Sequence, residues 1–339
     1  MYRKFFLLLC ILFAANAHIK SDSIITSRRK LENNIIITKQ SFTKVWYYYK
    51  VDSSRTLQSV DRTQEKIIKI ERDKANIYFT NAENYFRLKS YKHALKSYIN
   101  SAKYNDWTKQ HCLYKIALCY QNLQKLPLAV RWYKRLLRQF KDSYYKADAT
   151  FNMGHCYLKA KKFSNAYHAF NESAKLYKQI LGEKKSAESI FFKATSGFKA
   201  KRYRLSIKIY EKLLEQINKG PLKNDTMINL ADCYFYIKDY SKAKKCYFSL
   251  LKENLLNNKD LLGRIYLGLG NCYLHQENFT TALLCYLRTI MMYAGNNDTT
   301  KKAFQKASYC FKILKNQKPK YSTYAKKLKQ RYTQIFGSY

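Results

Sequence analysis

The segment from Met153 to Phe170, MGHCYLKAKKFSNAYHAF, contains the side chains of this chain best suited to chemistry. His155 and Cys156 are adjacent, and imidazole nitrogen and thiolate sulfur are both zinc ligands. The same two residue types also form the nucleophile and general base of cysteine enzymes. A third possibility is that the segment is one copy of a repeated structural unit. Recurrence of its pattern elsewhere in the chain distinguishes these alternatives.

The pattern recurs six times. In each copy a small residue, here called the small position, is followed twelve residues later by a second one, called the anchor position. The small positions are Ala82, Ala117, Gly154, Ala194, Ala231 and Gly270, and the anchors are Ala94, Ala129, Ala166, Ser206, Ala243 and Ala282. Tyrosine stands three residues after each small position except at Gly197, and an aromatic residue stands four after each anchor: Tyr98, Tyr133, Phe170, Tyr210, Tyr247 and Tyr286.

This spacing predicts pairs of antiparallel helices. A small residue and an aromatic residue three positions later share one face of a helix, and so do an anchor and the aromatic residue four positions later. Small residues opposite large ones allow two helices to approach closely. Because one hairpin cannot bury such a face alone, the hairpins must stack on one another. The expected fold class is therefore all-α, a solenoid of helical hairpins.

The combined pattern resembles the tetratricopeptide repeat family. A further aromatic residue, six after the first aromatic position, belongs to the same signature: Tyr91, Phe163, Tyr203, Tyr240 and Phe279. The resemblance covers residues 75–294 as six repeats and implies a right-handed superhelical solenoid. The repeats are longer than the family's usual length of about 34 residues, and lysine or a polar residue replaces the usual turn glycine. The longer repeats are similar to those of exported envelope proteins of the BamD-like and CpoB-like type.

The cysteines follow the same repeat. Cys156 lies two residues after its small position, as do Cys119, Cys233 and Cys272, and this recurrence indicates packing. The chain has no Cys-x-x-Cys or His-x-x-His motif, no glycine-rich phosphate loop and no nucleophile elbow. We therefore expect neither a metal, nor a cofactor, nor an enzyme. Disulfide formation needs Cα atoms within about 7 Å, so the eight cysteines beyond Cys10 are predicted to be free thiols.

The N-terminus has the pattern of a secretory signal peptide. Arg3 and Lys4 precede an apolar run that ends at Ala15, and Ala15-Asn16-Ala17 provides small residues for cleavage. The run is shorter than the roughly 20 residues that span a bilayer as a helix. The sequence therefore predicts a signal peptide over 1–17 and an exported mature chain without a transmembrane segment, in the periplasm of a Gram-negative-type cell. An uncleaved membrane anchor is the alternative.

The flanks of the repeats are predicted separately. Residues 18–54 form an N-terminal extension, and residues 295–339 a partial repeat with a C-terminal cap. A lead-in helix is expected over 55–74, because apolar residues recur there at near-helical spacing: Leu57, Val60, Ile67, Ile68 and Ile70. Gly197 and Ser206 depart from the repeat, and Gly220 and Pro221 follow. They indicate either a hinge near 197–223 or a longer connecting loop.

The formal net charge of +41 admits two interpretations. A basic surplus attracts anionic partners, such as an anionic envelope surface or nucleic acid. The codons of an AT-rich genome would also enrich lysine, and the even spread of lysine along the chain favours this second interpretation. A basic helical-repeat protein that binds nucleic acid or another anionic polymer remains the alternative function. The export signal and the repeat signature oppose it, so no nucleic acid is expected.

The family's geometry implies a partner-binding groove on the first helix of each hairpin. The upstream row, three residues before each small position, is Phe79, Tyr114, Phe151, Phe191, Ile228 and Leu267; the downstream row, four after it, is Phe86, Gln121, Leu158, Phe198, Phe235 and Leu274. Polar positions lie one residue after the small position: Glu83, His155, Asp232 and Asn271. The upstream row contains no lysine, which excludes a clamp for a peptide's terminal carboxylate.

Apolar rows with interspersed polar residues suit an extended or amphipathic segment of a protein partner. The alternative is that these aromatic residues only pack on neighbouring first helices. The resulting hypothesis is a non-catalytic exported scaffold that helps to assemble a cell-envelope machine. That machine would be an outer-membrane, cell-wall or periplasmic flagellar-motor complex.

Overall fold

A computed structural model of the chain describes residues 22–26, 30–40, 42–49, 58–65, 67–71, 76–104, 108–252, 258–292, 298–316 and 319–337. The predicted signal peptide, residues 1–17, lies outside these ranges. The described residues form five strands followed by fourteen helices.

The helices form consecutive hairpins, and their bounds agree with the repeat. They are α1 (Ile77–Arg87), α2 (Tyr91–Ser101), α3 (Thr108–Asn122), α4 (Leu126–Gln139), α5 (Lys146–Lys159), α6 (Phe163–Gln179), α7 (Glu183–Lys199), α8 (Tyr203–Leu214), α9 (Pro221–Tyr236), α10 (Tyr240–Lys252), α11 (Lys259–His275), α12 (Phe279–Met292), α13 (Asp298–Leu314) and α14 (Lys320–Phe336). Odd-numbered helices from α1 to α11 carry the small positions, and even-numbered helices from α2 to α12 carry the anchors. The predicted fold class, a solenoid of helical hairpins, is confirmed.

Small residues pack directly on the aromatic residue of the second helix, as the spacing predicts. A Cβ atom added at Gly154 would come within 2.7 Å of the Phe170 ring, and one added at Gly270 within 2.5 Å of the Tyr286 ring. Ala166, the anchor of the same hairpin as Gly154, is completely buried. Only the smallest side chains therefore allow the two helices of a hairpin to pack at this distance.

The turn inside each hairpin has one conformation throughout. The residues where the family usually has glycine all take a left-handed φ of 58–66°: Lys89, Gln124, Lys161, Lys201, Lys238 and Glu277. The following amide closes the helix end by donating to the carbonyl five residues earlier, as Lys162 N does to Tyr157 O at 2.8 Å. This is the hydrogen bond of a Schellman helix end, which glycine favours. Non-glycine residues occupy a left-handed conformation at a steric cost.

The chain divides into two compact units between Ser189 and Ile190. In the first unit, buried clusters surround Tyr98 in the first hairpin and Tyr133 in the second. In the second unit, one cluster surrounds Tyr210 and Tyr247, and another surrounds Tyr286 and extends to the C-terminal helices. In the second of these, Phe304 of α13 packs against Tyr332 of α14, with ring centroids 5.5 Å apart.

Gly197 and Ser206, the two residues at which the fourth repeat departs from the pattern, pack against each other. A Cβ atom at Gly197 would come within 2.7 Å of Ser206 Oγ. Ser206 Oγ in turn donates to Ala194 O at 2.9 Å, so glycine at 197 makes room for a hydrogen-bonded serine at the anchor. Gly220 takes a left-handed φ of 102° immediately before Pro221, the first residue of α9. Residues 197–223 thus contain a close-packed pair and an ordinary helix start.

A five-stranded antiparallel sheet precedes the repeats, and the predicted lead-in helix over 55–74 is wrong. The strands are β1 (Asp22–Thr26), β2 (Lys30–Gln40), β3 (Lys44–Tyr49), β4 (Gln58–Asp61) and β5 (Ile67–Glu71), in the order β4-β3-β2-β1-β5. Val45 of β3 pairs with Val60 of β4, and both side chains are fully buried. β-Branched residues favour this pairing over a helix because they pack well on a pleated surface.

The sheet is joined to the helical part by Phe42 and Arg62. Phe42 N donates to Asp142 O, in the turn between α4 and α5, at 2.9 Å. Arg62 Nη1 donates to Phe42 O at 2.9 Å and to Tyr144 O at 3.1 Å, and its guanidinium lies 4.1 Å from the centre of the Tyr144 ring. Burial lowers the pKa of Arg62. These hydrogen bonds offset the cost of burying its charge.

Candidate partner-binding surface on the first helices

Most residues of the upstream and downstream rows keep part of their surface exposed. In the first unit the half-buried members are Phe79, Phe86, Tyr114, Gln121 and Leu158; in the second they are Phe191, Phe198, Phe235, Leu267 and Leu274. Phe151 and Ile228 are only 7% and 2% exposed. These two side chains therefore belong to the core more than to a surface that a partner could reach.

Ring contacts connect the exposed row members of the first unit. The Phe79 ring meets the His111 ring edge-on, with centroids 5.1 Å apart, which joins α1 to α3. Tyr114 of α3 stacks on Tyr145, which directly precedes α5, at 4.8 Å and an interplanar angle of 11°. Asn152 donates to the Tyr114 hydroxyl at 3.1 Å. Ring contacts with the following hairpin therefore hold Phe79 and Tyr114 in place, whereas Phe151 of the same row is buried in the core.

The second unit repeats this arrangement with other residues. Phe198 lies against Tyr236, which stacks on Tyr203 at 4.9 Å. The Phe235 ring meets the edge of His275, with centroids 5.1 Å apart. In the second unit these two downstream-row aromatic residues therefore contact the last residue of the following first helix, and those contacts orient their rings before any partner arrives.

His155 and Cys156 contribute to packing. The His155 ring lies edge-on to Phe151 at 4.6 Å and to Phe170 at 5.0 Å. Burial lowers the pKa of His155 to about 4 and raises that of Cys156 to about 11. At neutral pH the imidazole is neutral and the thiol protonated, so the pair lacks the thiolate that a cysteine nucleophile needs. Across the described ranges, no group of three or more His, Cys, Asp and Glu side chains is placed to hold a metal ion.

The polar positions bind buried tyrosine hydroxyls of their own hairpins. Tyr98 donates to Glu83 Oε1 at 2.5 Å, Tyr247 to Asp232 Oδ1 at 2.6 Å, and Tyr286 to Asn271 Oδ1 at 3.0 Å. In the fourth repeat the Tyr210 hydroxyl is 2.9 Å from Thr195 Oγ1. Each pair is fifteen residues apart, so one contact recurs in four hairpins.

The second and third hairpins lack this tyrosine–acceptor pair, and in each of them another contact takes its place. The second has Leu118 at the polar position, and the Tyr133 hydroxyl donates instead to Gln121 Oε1 at 3.0 Å. The third has Phe170 in place of tyrosine, and its ring faces His155. A buried hydroxyl needs a partner, so the polar positions serve the core of each hairpin. The sequence already contained this signal, because an oxygen acceptor and a tyrosine recur together at a separation of fifteen.

Glu83 is the centre of a polar network in the first unit. His111 Nε2 lies 2.9 Å from Glu83 Oε1, and Lys115 Nζ lies 3.6 Å from Glu83 Oε2. His111 Nδ1 lies 2.6 Å from the Tyr145 hydroxyl. Burial lowers the pKa of His111, so the neutral ring donates from Nε2 and accepts at Nδ1. Although burial opposes ionisation of Glu83, its hydrogen bonds from His111 and Tyr98 lower its pKa to about 2.

Comparisons with known proteins identify the same repeat. A sequence profile described as tetratricopeptide repeat matches residues 111–143, which include most of α3 and all of α4. A comparison with curated proteins found none whose sequence matches this chain.

Solved structures give the same result for the fold. The C-terminal part of a TPR repeat-containing protein from Cytophaga hutchinsonii is 17% identical, with a TM-score of 0.56 over 77% of this chain and 96% of that one. The apo form of RapI is 15% identical, with a TM-score of 0.57 over 76% of this chain and 80% of RapI. These similarities show that the chain has the fold of tetratricopeptide-repeat proteins.

Proposed function

We propose that this protein is a non-catalytic scaffold that holds an extended or amphipathic segment of a partner protein against the first-helix rows. The observation that carries the proposal is the set of half-buried aromatic side chains in those rows. Phe79 and Tyr114 are held by ring contacts with the neighbouring first helix. Aromatic side chains that are already ordered lose little conformational entropy on binding, and they are the usual anchors of protein interfaces.

The charge beside the rows suits a partner segment with acidic residues between its apolar ones. In the first unit, Lys185 Nζ lies 5.0 Å from the centre of the Phe151 ring. In the second, Lys199 Nζ lies 5.7 Å from the centre of the Phe198 ring. Carboxylates of the partner would meet these ammonium groups while its apolar side chains meet the aromatic edges. Complementary charge of this kind speeds association and selects partners more than it raises affinity.

The proposed location is the periplasm of a Gram-negative-type cell, and the proposed role is in assembling a cell-envelope machine. The N-terminal signal pattern over residues 1–17 and the resemblance of the longer repeats to the BamD-like and CpoB-like type support this. None of the helices in the described part of the chain has the length and apolarity of a bilayer-spanning segment. An outer-membrane, cell-wall or flagellar-motor complex would each use such a scaffold.

Site-specific photocrosslinking in cells tests the binding surface. A photoreactive amino acid replaces Phe79, Leu158 or Phe198 in the rows, or Leu205 on the second-helix surface as a matched exposed control. The proposal predicts one recurrent crosslinked protein from the row positions and none from Leu205. Equal crosslinking at Leu205, or no crosslinking from any row position, would remove the first-helix surface as the binding site.

Export has its own test, independent of the partner. Mass spectrometry of the protein released by osmotic shock should find His18 as the N-terminal residue. Recovery of the chain with intact Met1 in the inner-membrane fraction would contradict cleavage and favour an anchored form.

A further inference from the structure

Two long segments of the chain contain no acidic residue, 107–141 and 299–339, and α4 lies within the first. Between Asp106 and Asp142 there is no Asp or Glu. Four basic side chains of α4 are spaced at i, i+3, i+4 and i+7, which places them on one helix face. They are Arg131, Lys134, Arg135 and Arg138, and all four are exposed.

This basic face is one wall of a groove of about 900 Å³. The same groove is lined by the apolar side chains of Pro127, Leu128, Val130 and Trp132. Trp132 is half-buried and packs against the cores of the first two hairpins. The Arg135 guanidinium lies 4.8 Å from the centre of the Trp132 ring. A rigid ring therefore orients one of the cations before any ligand binds.

Within the part of the chain that the structure describes, the four cations have no acidic counterpart. None of the ion pairs found among the described residues includes Arg131, Lys134, Arg135 or Arg138. Like charges at i and i+4, such as Arg131 with Arg135, repel each other and destabilise a helix. An anion in the groove would relieve this repulsion, so the site is electrostatically prepared for a negatively charged ligand.

We propose that the α4 groove binds an acidic segment of a partner protein, with carboxylates against the basic face and an apolar side chain against Leu128 and Val130. The face spans about 10 Å along the helix, which suits a segment of a few residues. A nucleic-acid strand fits less well, because Arg135 already covers the Trp132 ring on which a base would stack. A planar bilayer surface fits less well than a chain, because the cations line a groove.

This inference rests on the proposed function as a protein-binding scaffold, but it uses a different surface. α4 is the second helix of its hairpin, whereas the predicted rows lie on first helices. A partner that engages both surfaces would gain affinity through linkage, because its second contact becomes intramolecular.

Fluorescence anisotropy tests the α4 groove with a labelled twelve-residue peptide of repeating Glu-Glu-Leu. The test variant is Arg131→Gln/Arg135→Gln/Arg138→Gln. The matched control, Lys208→Gln/Lys212→Gln/Lys245→Gln, removes the same charge from exposed positions elsewhere. The test variant should bind about tenfold more weakly, since exposed ion pairs contribute modestly, and the control should bind like the parent. Circular dichroism confirms that both variants remain helical.

Three outcomes would overturn the proposal. Equal weakening by the control would mean that only overall charge matters. Tighter, α4-dependent binding of a twelve-residue oligothymidylate would assign the groove to nucleic acid. Tighter, α4-dependent binding of phosphatidylglycerol vesicles would assign it to a membrane surface. Partner crosslinking from position 158 is also measured in the triple arginine variant of α4. Crosslinking that persists there shows that the first-helix site is intact while the α4 site is lost, so the two sites can be distinguished.

Discussion

Replacing Tyr247 by phenylalanine should destabilise the second unit while leaving its shape unchanged. The Tyr247 side chain is 1% exposed, and its hydroxyl donates to Asp232 Oδ1 at 2.6 Å. Phenylalanine fills the same space but leaves the partly buried carboxylate without this donor. A hydrogen bond to a charged group contributes about 1.5–3 kcal/mol. We expect the free energy of unfolding to fall by about 2 kcal/mol at pH 7.

The loss should also depend on pH in a defined direction. Burial raises the pKa of Asp232 above its ordinary value of 3.8, and the bond from Tyr247 opposes that rise. Without the hydroxyl the folded-state pKa rises further. Deprotonation of Asp232 then favours the unfolded chain more strongly. The free energy of unfolding of Tyr247→Phe should therefore fall further below that of the parent as pH rises from about 4 to 7.

Urea unfolding followed by circular dichroism measures both effects. Asp232→Asn should lower the free energy of unfolding less than Tyr247→Phe does. An asparagine at this position can still accept the tyrosine hydroxyl, as Asn271 accepts that of Tyr286 in the next hairpin. The matched control is Tyr324→Phe, since the Tyr324 side chain is exposed; its stability should stay within about 0.5 kcal/mol of the parent. In a double-mutant cycle with Asp232→Ala, the two changes should be strongly non-additive. Strict additivity, or a neutral Tyr247→Phe, would refute the structural role of the polar positions.

Three further predictions follow from the hairpins. Gly154→Leu and Ala166→Leu should each lower the free energy of unfolding by about 1–3 kcal/mol through overpacking, and an unchanged thermal melt would mean that the helix register is wrong. Lys161→Gly should stabilise by roughly 0.5–1 kcal/mol, because φ at this residue is 58°, whereas Lys159→Gly, at the last helical residue of α5, should destabilise. The folded-state pKa of Glu83 lies below its unfolded value, so the parent should lose stability as pH falls from 4.5 to about 2. Glu83→Gln should make this acid-induced loss smaller by on the order of 2 kcal/mol. An unchanged acid transition would contradict this prediction.

The eight cysteines of the described chain, all free in the structure, give one more measurement. Thiol labelling of denatured, unreduced protein should find all of them reactive, and fewer than six would indicate disulfides. In the folded protein they should react slowly, because burial raises the pKa of Cys119, Cys233 and Cys272 to about 12.

The helical hairpins could be predicted from sequence because their determinants are local and repeated. Gly154 and Gly270 each pack on an aromatic residue of the same hairpin, and the same spacing recurs in all six copies. The N-terminal sheet could not be found in this way. Its β-branched run Ile35–Ile37 and its aromatic run Trp46–Tyr49 signalled strands. The helical spacing of isolated apolar residues over 55–74 obscured that signal.

The first-helix rows stay a prediction as a binding site, whereas the structure gives their polar positions a role inside each hairpin. Burial of Phe151 and Ile228 depends on contacts with other helices, which spacing along one helix does not reveal. The role of Asp232 and Asn271 as tyrosine acceptors was visible as a separation of fifteen residues. The signal becomes apparent only when each polar residue is paired with the second helix of its hairpin, because a single first helix shows an isolated polar residue.

The central claim is tested most directly by measuring how tightly the partner recovered by crosslinking binds to single alanine variants. The row variants are Phe79→Ala, Leu158→Ala and Phe198→Ala, and the control is Leu205→Ala. Replacing a true anchor should weaken binding by about 2 kcal/mol, or roughly thirtyfold in Kd, while Leu205→Ala should bind like the parent. All four variants should retain their helical content. Parental affinity in the three row variants, with binding abolished by the triple arginine variant of α4, would contradict the claim and assign the interaction to charge.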